Sequence, residues 1–196
     1  MSEHHDHSHA VVTEENSKKL MVALGLTTTF LIVEVVAAFI TQSLALLSDA
    51  AHMFTDVAAL AIALAAIKIG KKAADDKRTF GYQRFEILAA LFNAVMLFVV
   101  AIYIVYEAYQ RFTNPAEIQS VGMMIVAVIG LVINLISMKI LSASAEGSLN
   151  IKGAYLEVLS DALGSIGVII GGIVIYFTQW MWVDTVIAVL IGFWVL

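Results

Sequence analysis

The chain has 196 residues, 61% hydrophobic and 14% charged, with a mean hydropathy of +0.91 and a formal net charge of −5. So few charges cannot coat a water-soluble domain, where about a quarter of residues are charged, and an acidic chain without a basic stripe excludes nucleic-acid binding. Cysteine is absent, which excludes disulfides and thiolate ligation, so any metal site must be built from imidazole and carboxylate.

The first segment, 1–17, is acidic and carries His4, His5, His7 and His9 around Asp6. It lacks the basic start and short apolar run of a signal peptide. It reads as a disordered, weakly metal-binding tail.

Six apolar helices are expected after it. The first covers 18–41, where the uncharged runs Leu20–Val33 and Val35–Ser48 are interrupted only by Glu34. Thr41-Gln42-Ser43 marks a break, and a second helix follows over 43–69. It carries Asp49, His52 and Asp56 ahead of the apolar run Val57–Ile67. The charged segment from Gly70 to Phe80 reads as a solvated loop. A third helix is predicted over 81–112 and a fourth over 117–143, separated by the only proline, Pro115. The small, polar stretch Ser142–Asn150 leads to a fifth helix over 150–178, which carries Glu157 and Asp161. Thr178-Gln179 turns the chain into a sixth helix over 180–196. Each helix is near or above the roughly 20 residues needed to cross a bilayer core, which makes this an all-α membrane protein with six transmembrane helices.

Orientation follows from the basic residues. With six crossings, every Lys and Arg except Arg111 falls on the side of the N-terminus. The positive-inside rule makes that side cytoplasmic, so both termini are expected there. Trp180 and Trp182 fall at the opposite interface, where amphipathic rings favour the headgroup level. A multi-pass protein of the plasma membrane, with lipid as its main partner, is the expectation.

An ionisable group inside a span costs about 3 kcal/mol or more and needs a partner or a function. His52 and Asp56 are four residues apart and share one helix face, as do Glu157 and Asp161. At ~1.5 Å per residue, His52 and Asp56 fall ~13–20 Å below one end of the second helix. Glu157 and Asp161 fall ~10–17 Å from the opposite end of the antiparallel fifth helix. Both pairs therefore reach mid-membrane, and together they offer one imidazole and three carboxylates to a divalent cation such as Zn²⁺. Asp49, one turn before His52, is placed to orient the imidazole. Glu34, Glu86, Asp184, Asn93 and Asn134 read as helix-to-helix hydrogen-bonding groups. Gly164, Gly167, Gly171 and Gly172 on the fifth helix, with Ala51, Ala58, Ala61 and Ala65 on the second, permit close approach and leave room for the two helices to move together.

Charge balance links cation and proton. Three ionised carboxylates and a neutral imidazole carry −3 in a low dielectric, which either a metal ion or protons must offset. Competition for these groups from both sides of the membrane would give metal/proton exchange. An intramembrane metalloprotease is disfavoured, because it would need a His-Glu-x-x-His helix and only His52 lies in a span, so no enzymatic role is expected. A metal-binding sensor or adaptor without transport, and an ion channel without proton coupling, are the alternatives.

Three stretches carry a family resemblance: Ser43-Leu44-Ala45-Leu46-Leu47-Ser48-Asp49-Ala50-Ala51-His52-Met53-Phe54-Thr55-Asp56, Phe80-Gly81-Tyr82-Gln83-Arg84-Phe85-Glu86-Ile87-Leu88-Ala89-Ala90, and Asn150 to Gly167. In these the chain resembles the cation diffusion facilitator family, most of all the bacterial cobalt–zinc–cadmium resistance exporters, over essentially all of 18–196. The resemblance implies a six-helix homodimer that exports Zn²⁺, or Cd²⁺, Co²⁺ or Ni²⁺, in exchange for protons. It implies a metal site at His52, Asp56, Glu157 and Asp161. Many zinc-transporting members have His where this chain has Glu157, and a carboxylate there implies broader selectivity. Members usually continue into a cytoplasmic metal-binding domain. That domain is expected to be absent here, leaving dimerisation to the membrane helices.

Overall fold

The computed structural model describes residues 14–70, 83–145 and 149–195. The His4–His9 cluster and most of the predicted 70–80 loop lie outside the described residues, as does the Phe80–Tyr82 part of the second family-like stretch. Among the described residues there are six helices and no strand: α1 (Glu14–Thr41), α2 (Leu44–Gly70), α3 (Gln83–Thr113), α4 (Ser120–Ala145), α5 (Leu149–Thr178) and α6 (Trp182–Val195). The ends fall within a few residues of the expected ones. Stretches of α1, α3, α4 and α5 are long and apolar enough to cross a membrane, and α6 holds a shorter apolar stretch, Trp182–Trp194.

The breaks are local chemistry. Gln42 and Gln179 adopt left-handed backbone conformations, with φ of 59° and 57°, a position glycine usually fills after a helix. Each glutamine compensates by donating its side-chain amide back to the helix it ends, Gln42 to Phe39 O at 3.1 Å and Gln179 to Tyr176 O at 3.0 Å. Ser43 N also reaches back to Ala38 O at 3.1 Å, closing the last turn of α1.

The surface and the interior exchange their usual roles. Ile32, Phe39, Phe98, Ile125, Leu135, Ile170 and Phe177 are exposed, whereas Glu34, Asp49, Asn134, Ser137, Asp161 and Asp184 are buried. That polarity is what lipid demands of a bundle: apolar side chains outward and costly polar groups facing one another.

α5 packs along most of α4 and meets α2 over a shorter stretch, while α2 is flanked by α1, α3 and α6. The core lies in layers. Leu20, Ala23, Leu141, Ile151, Ala154 and Val158 pack near the end that holds Glu14. Phe30, Leu31, Ala50 and Met53 fill the middle, and Leu44, Leu46, Ala108, Met123, Ile175 and Ala188 fill the far end. Small residues set the helix spacing. Phe30 lies on Gly130, where a Cβ would sit 2.5 Å from the ring, and Gly171 and Gly172 receive Ile187 of α6 and Met124 of α4. The α5 glycines thus serve α4 and α6 more than α2. Gly164 alone of the four takes an α2 side chain, Asp49, against it.

Candidate metal centre

His52 and Asp56 occupy successive turns of α2, and Asp161 comes from the facing side of α5. His52 Nε2 lies 3.5 Å from Asp56 Oδ2 and 3.6 Å from Asp161 Oδ1. The three residues each offer a ligand atom within 4.8 Å of the others. A tetrahedral Zn²⁺ at about 2.0–2.1 Å from each donor would separate them by about 3.3 Å, so the two spacings from His52 need only a slight contraction around an ion.

The hydrogen bonding points the same way. Both nitrogens of His52, Asp56 Oδ2 and Asp161 Oδ1 are buried and have no hydrogen-bond partner among the described residues. A buried polar atom without a partner costs about 1–3 kcal/mol. Three of these atoms, His52 Nε2, Asp56 Oδ2 and Asp161 Oδ1, lie together, one from each residue, and describe a site whose bonding is completed from outside the chain.

Glu157, the remaining expected ligand, stands apart from this triad. Its side chain is exposed and shares with Asp56 and Asp161 a cavity walled by Ala23, Leu24, Thr27, Leu141 and Ala154. Those wall residues lie toward the start of α1, the end of α4 and the start of α5, so the acid-lined cavity lies on the Glu14 side of the bundle. His52 is also reached by two grooves at other faces: one holds Ser48, Leu97 and Val100, the other Asp49, Ser160 and Gly164.

Asp49 does not take the orienting position suggested by its spacing. Its buried carboxyl neighbours that of Glu34 of α1, while His52 Nδ1 has no hydrogen-bond partner among the described residues. Glu34 and Asp49 are thus two buried acids of neighbouring helices set beside the triad. No spacing rule connects residues on different helices, and the sequence offered only two isolated acids here.

Asp184 is a helix cap. It accepts from Ser43 Oγ and Leu44 N, each at 2.6 Å, and from Ala45 N at 3.3 Å, with Arg111 Nη1 3.6 Å away. Ser43 directly before the second apolar run is a capping signal that sequence carries; its partner on α6 is not. Asn134 is buried with its Nδ2 unpartnered. The side chains of Glu86 and Asn93 lie outside the described residues.

Residues 20–196 match the model of the cation efflux transmembrane domain. The chain belongs to the cation efflux family. It is 65% identical over 192 residues to the metal cation efflux system protein CzcD of Cupriavidus metallidurans, covering 98% of this chain and 60% of that protein. It is 44% identical over 194 residues to a cadmium, cobalt and zinc/H⁺-K⁺ antiporter of Bacillus velezensis, covering 98% and 61%. With the zinc transporter ZitB of Escherichia coli it shares 42% identity over 196 residues, covering 98% and 63%. The chain therefore spans about 60% of the length of the curated relatives it matches. In this cation efflux domain, the buried donors His52, Asp56 and Asp161 meet where α2 crosses α5.

Proposed function

We propose that this domain exports a divalent metal cation of the zinc class in exchange for protons, with His52, Asp56 and Asp161 holding the ion and Glu157 receiving it. The observation that carries the reading is the triad of buried donors without hydrogen-bond partners at the α2–α5 crossing. Zinc, cadmium and cobalt are the metals named for its relatives, and the imidazole-carboxylate set suits all three.

The six helices cross the plasma membrane with both termini in the cytoplasm. The cavity on the Glu14 side then faces the cytoplasm, and Glu157 on its wall is the first carboxylate an incoming ion meets. With His52 neutral, ionised Asp56 and Asp161 carry −2, which one divalent ion neutralises. Protons neutralise the same groups, so cation and protons displace one another. Access alternating between the two sides turns that competition into antiport. The protein acts as a homodimer and performs no catalysis on a substrate bond.

Metal flux into sealed proteoliposomes under an imposed pH gradient tests this. Flux that follows and dissipates the gradient is expected, and it is lost in Asp56→Ala and Asp161→Ala while the proteins remain folded. Metal binding without flux would make the protein a sensor or adaptor. Flux indifferent to pH would make it a channel.

A further inference from the structure

At the end of the bundle remote from Glu14, a polar network joins three helices. Asp184, in the first turn of α6 and 0% exposed, accepts two backbone N–H groups and one hydroxyl from the start of α2. Ser43 Oγ in turn accepts from Leu46 N at 3.1 Å, so three of the first N–H groups of α2 are satisfied by two side chains. Arg111, in the last turn of α3, faces Asp184 at 3.6 Å, donates to Gln42 O at 2.6 Å and pairs with Glu107 at 3.1 Å. One turn deeper, Ser48 Oγ donates to Ala188 O at 3.0 Å. His52 follows on the next turn of α2.

A serine hydroxyl alone would cap α2, so a buried carboxylate from a distant helix is more than the helix end requires. Burying it costs several kcal/mol unless the partners are well placed, and here they come from α2, α3 and their connecting turns. Breaking the network would leave Asp184 uncompensated, so it holds as a unit or releases as a unit. It lies beyond His52 toward one end of the bundle, while the acid-lined cavity lies at the other end.

We propose that Asp184, Arg111 and Ser43 form a clamp that fixes the ligand-bearing helix α2 against α6 and seals the metal site from this side of the membrane. Its release opens the site there. The release step rests on the transport reading above; the seal does not.

The absence of cysteine makes the test clean. Ala188→Cys, at a site 0% exposed between α6 and α2, serves as the reporter, probed with a membrane-impermeant thiol reagent in proteoliposomes. Arg111→Gln in this background is expected to raise the labelling rate by about tenfold or more, the equilibrium equivalent of one lost interaction of about 1.4 kcal/mol. Arg111→Lys, which keeps the charge, should stay near the parent. Zinc binding measured in detergent should stay within about twofold in both, because the triad is untouched. If monodisperse Arg111→Gln labels like the parent, or loses only thermal stability, the seal is refuted. Should Arg111→Gln fail to reconstitute, Asp184→Asn gives the same reading by the same criterion. Turnover with zinc and a pH gradient should raise labelling of the Ala188→Cys reporter several-fold. Unchanged labelling during measurable flux overturns the release step. Absence of flux in the parent overturns the transport reading and leaves the Arg111→Gln result to decide the seal.

Discussion

His52 of α2 and Asp161 of α5 face each other with Nε2 and Oδ1 3.6 Å apart, and neither atom has a hydrogen-bond partner among the described residues. The pair is too far apart to bond and close enough to share an ion. Removing Asp161 takes away the only triad ligand supplied by α5. Asp161→Ala should weaken zinc binding by about 100-fold or more, since a structural-type zinc ligand set gains its strength from complete coordination. Calorimetry in detergent measures it, with circular dichroism to confirm that the helices persist.

Glu157 should behave differently because it stands on the cavity wall. Glu157→Ala is expected to lower affinity by only about tenfold, a loss of roughly 1.4 kcal/mol, and to slow metal entry more than it weakens retention. Glu157→His should narrow the metal range toward zinc, since an imidazole replaces a hard oxygen donor. Competition between Zn²⁺, Cd²⁺ and Co²⁺ in the same flux assay reads the change.

On the proposed function, protons and metal compete for Asp56, Asp161 and His52, so acidification should weaken binding. The sign follows from linkage: if binding releases protons, affinity rises with pH by about tenfold per pH unit for each proton released. Titrations at pH values spanning 6–8 in two buffers of different ionisation heat should show both the trend and the released protons. A pH-independent affinity would remove these groups from the site.

The Glu34–Asp49 pair predicts an asymmetry between two substitutions. Glu34→Gln keeps a polar group of the same size beside the buried Asp49 and should change stability little. Glu34→Leu leaves the buried Asp49 carboxyl facing an apolar side chain, at a cost of about 1–3 kcal/mol. Thermal melts in detergent compare them.

Gly130 predicts a packing penalty. A methyl there meets the Phe30 ring at 2.5 Å, so Gly130→Ala should destabilise by about 1–3 kcal/mol as an overpacked contact. Phe30→Leu introduced with it should recover part of the loss, because it removes the ring the methyl strikes.

Much of this arrangement is legible in the chain itself. The turns at Thr41–Ser43 and Thr178–Gln179 show as polar interruptions of apolar runs, and the structure places left-handed glutamines there. The i,i+4 spacing of His52 and Asp56 fixes a shared face within one helix, and antiparallel depth matching brings α5 acids to the same level. Spacing says nothing of how far each helix is rotated about its own axis. That rotation turned Asp161 inward and left Glu157 exposed on the cavity wall, and it set Asp49 beside Glu34 of α1 instead of against the imidazole on its own helix.

The residue order by itself determined that this is a bundle for lipid, with two ionisable pairs at i,i+4 spacing on the second and fifth helices, because apolar length and the cost of buried charge are properties of the sequence alone. Only the tertiary structure decided which donors converge, which acids pair with each other, and that Asp184 caps a helix 140 positions away. Those outcomes depend on contacts between helices, and the pattern along one helix records which face is polar without recording what that face meets.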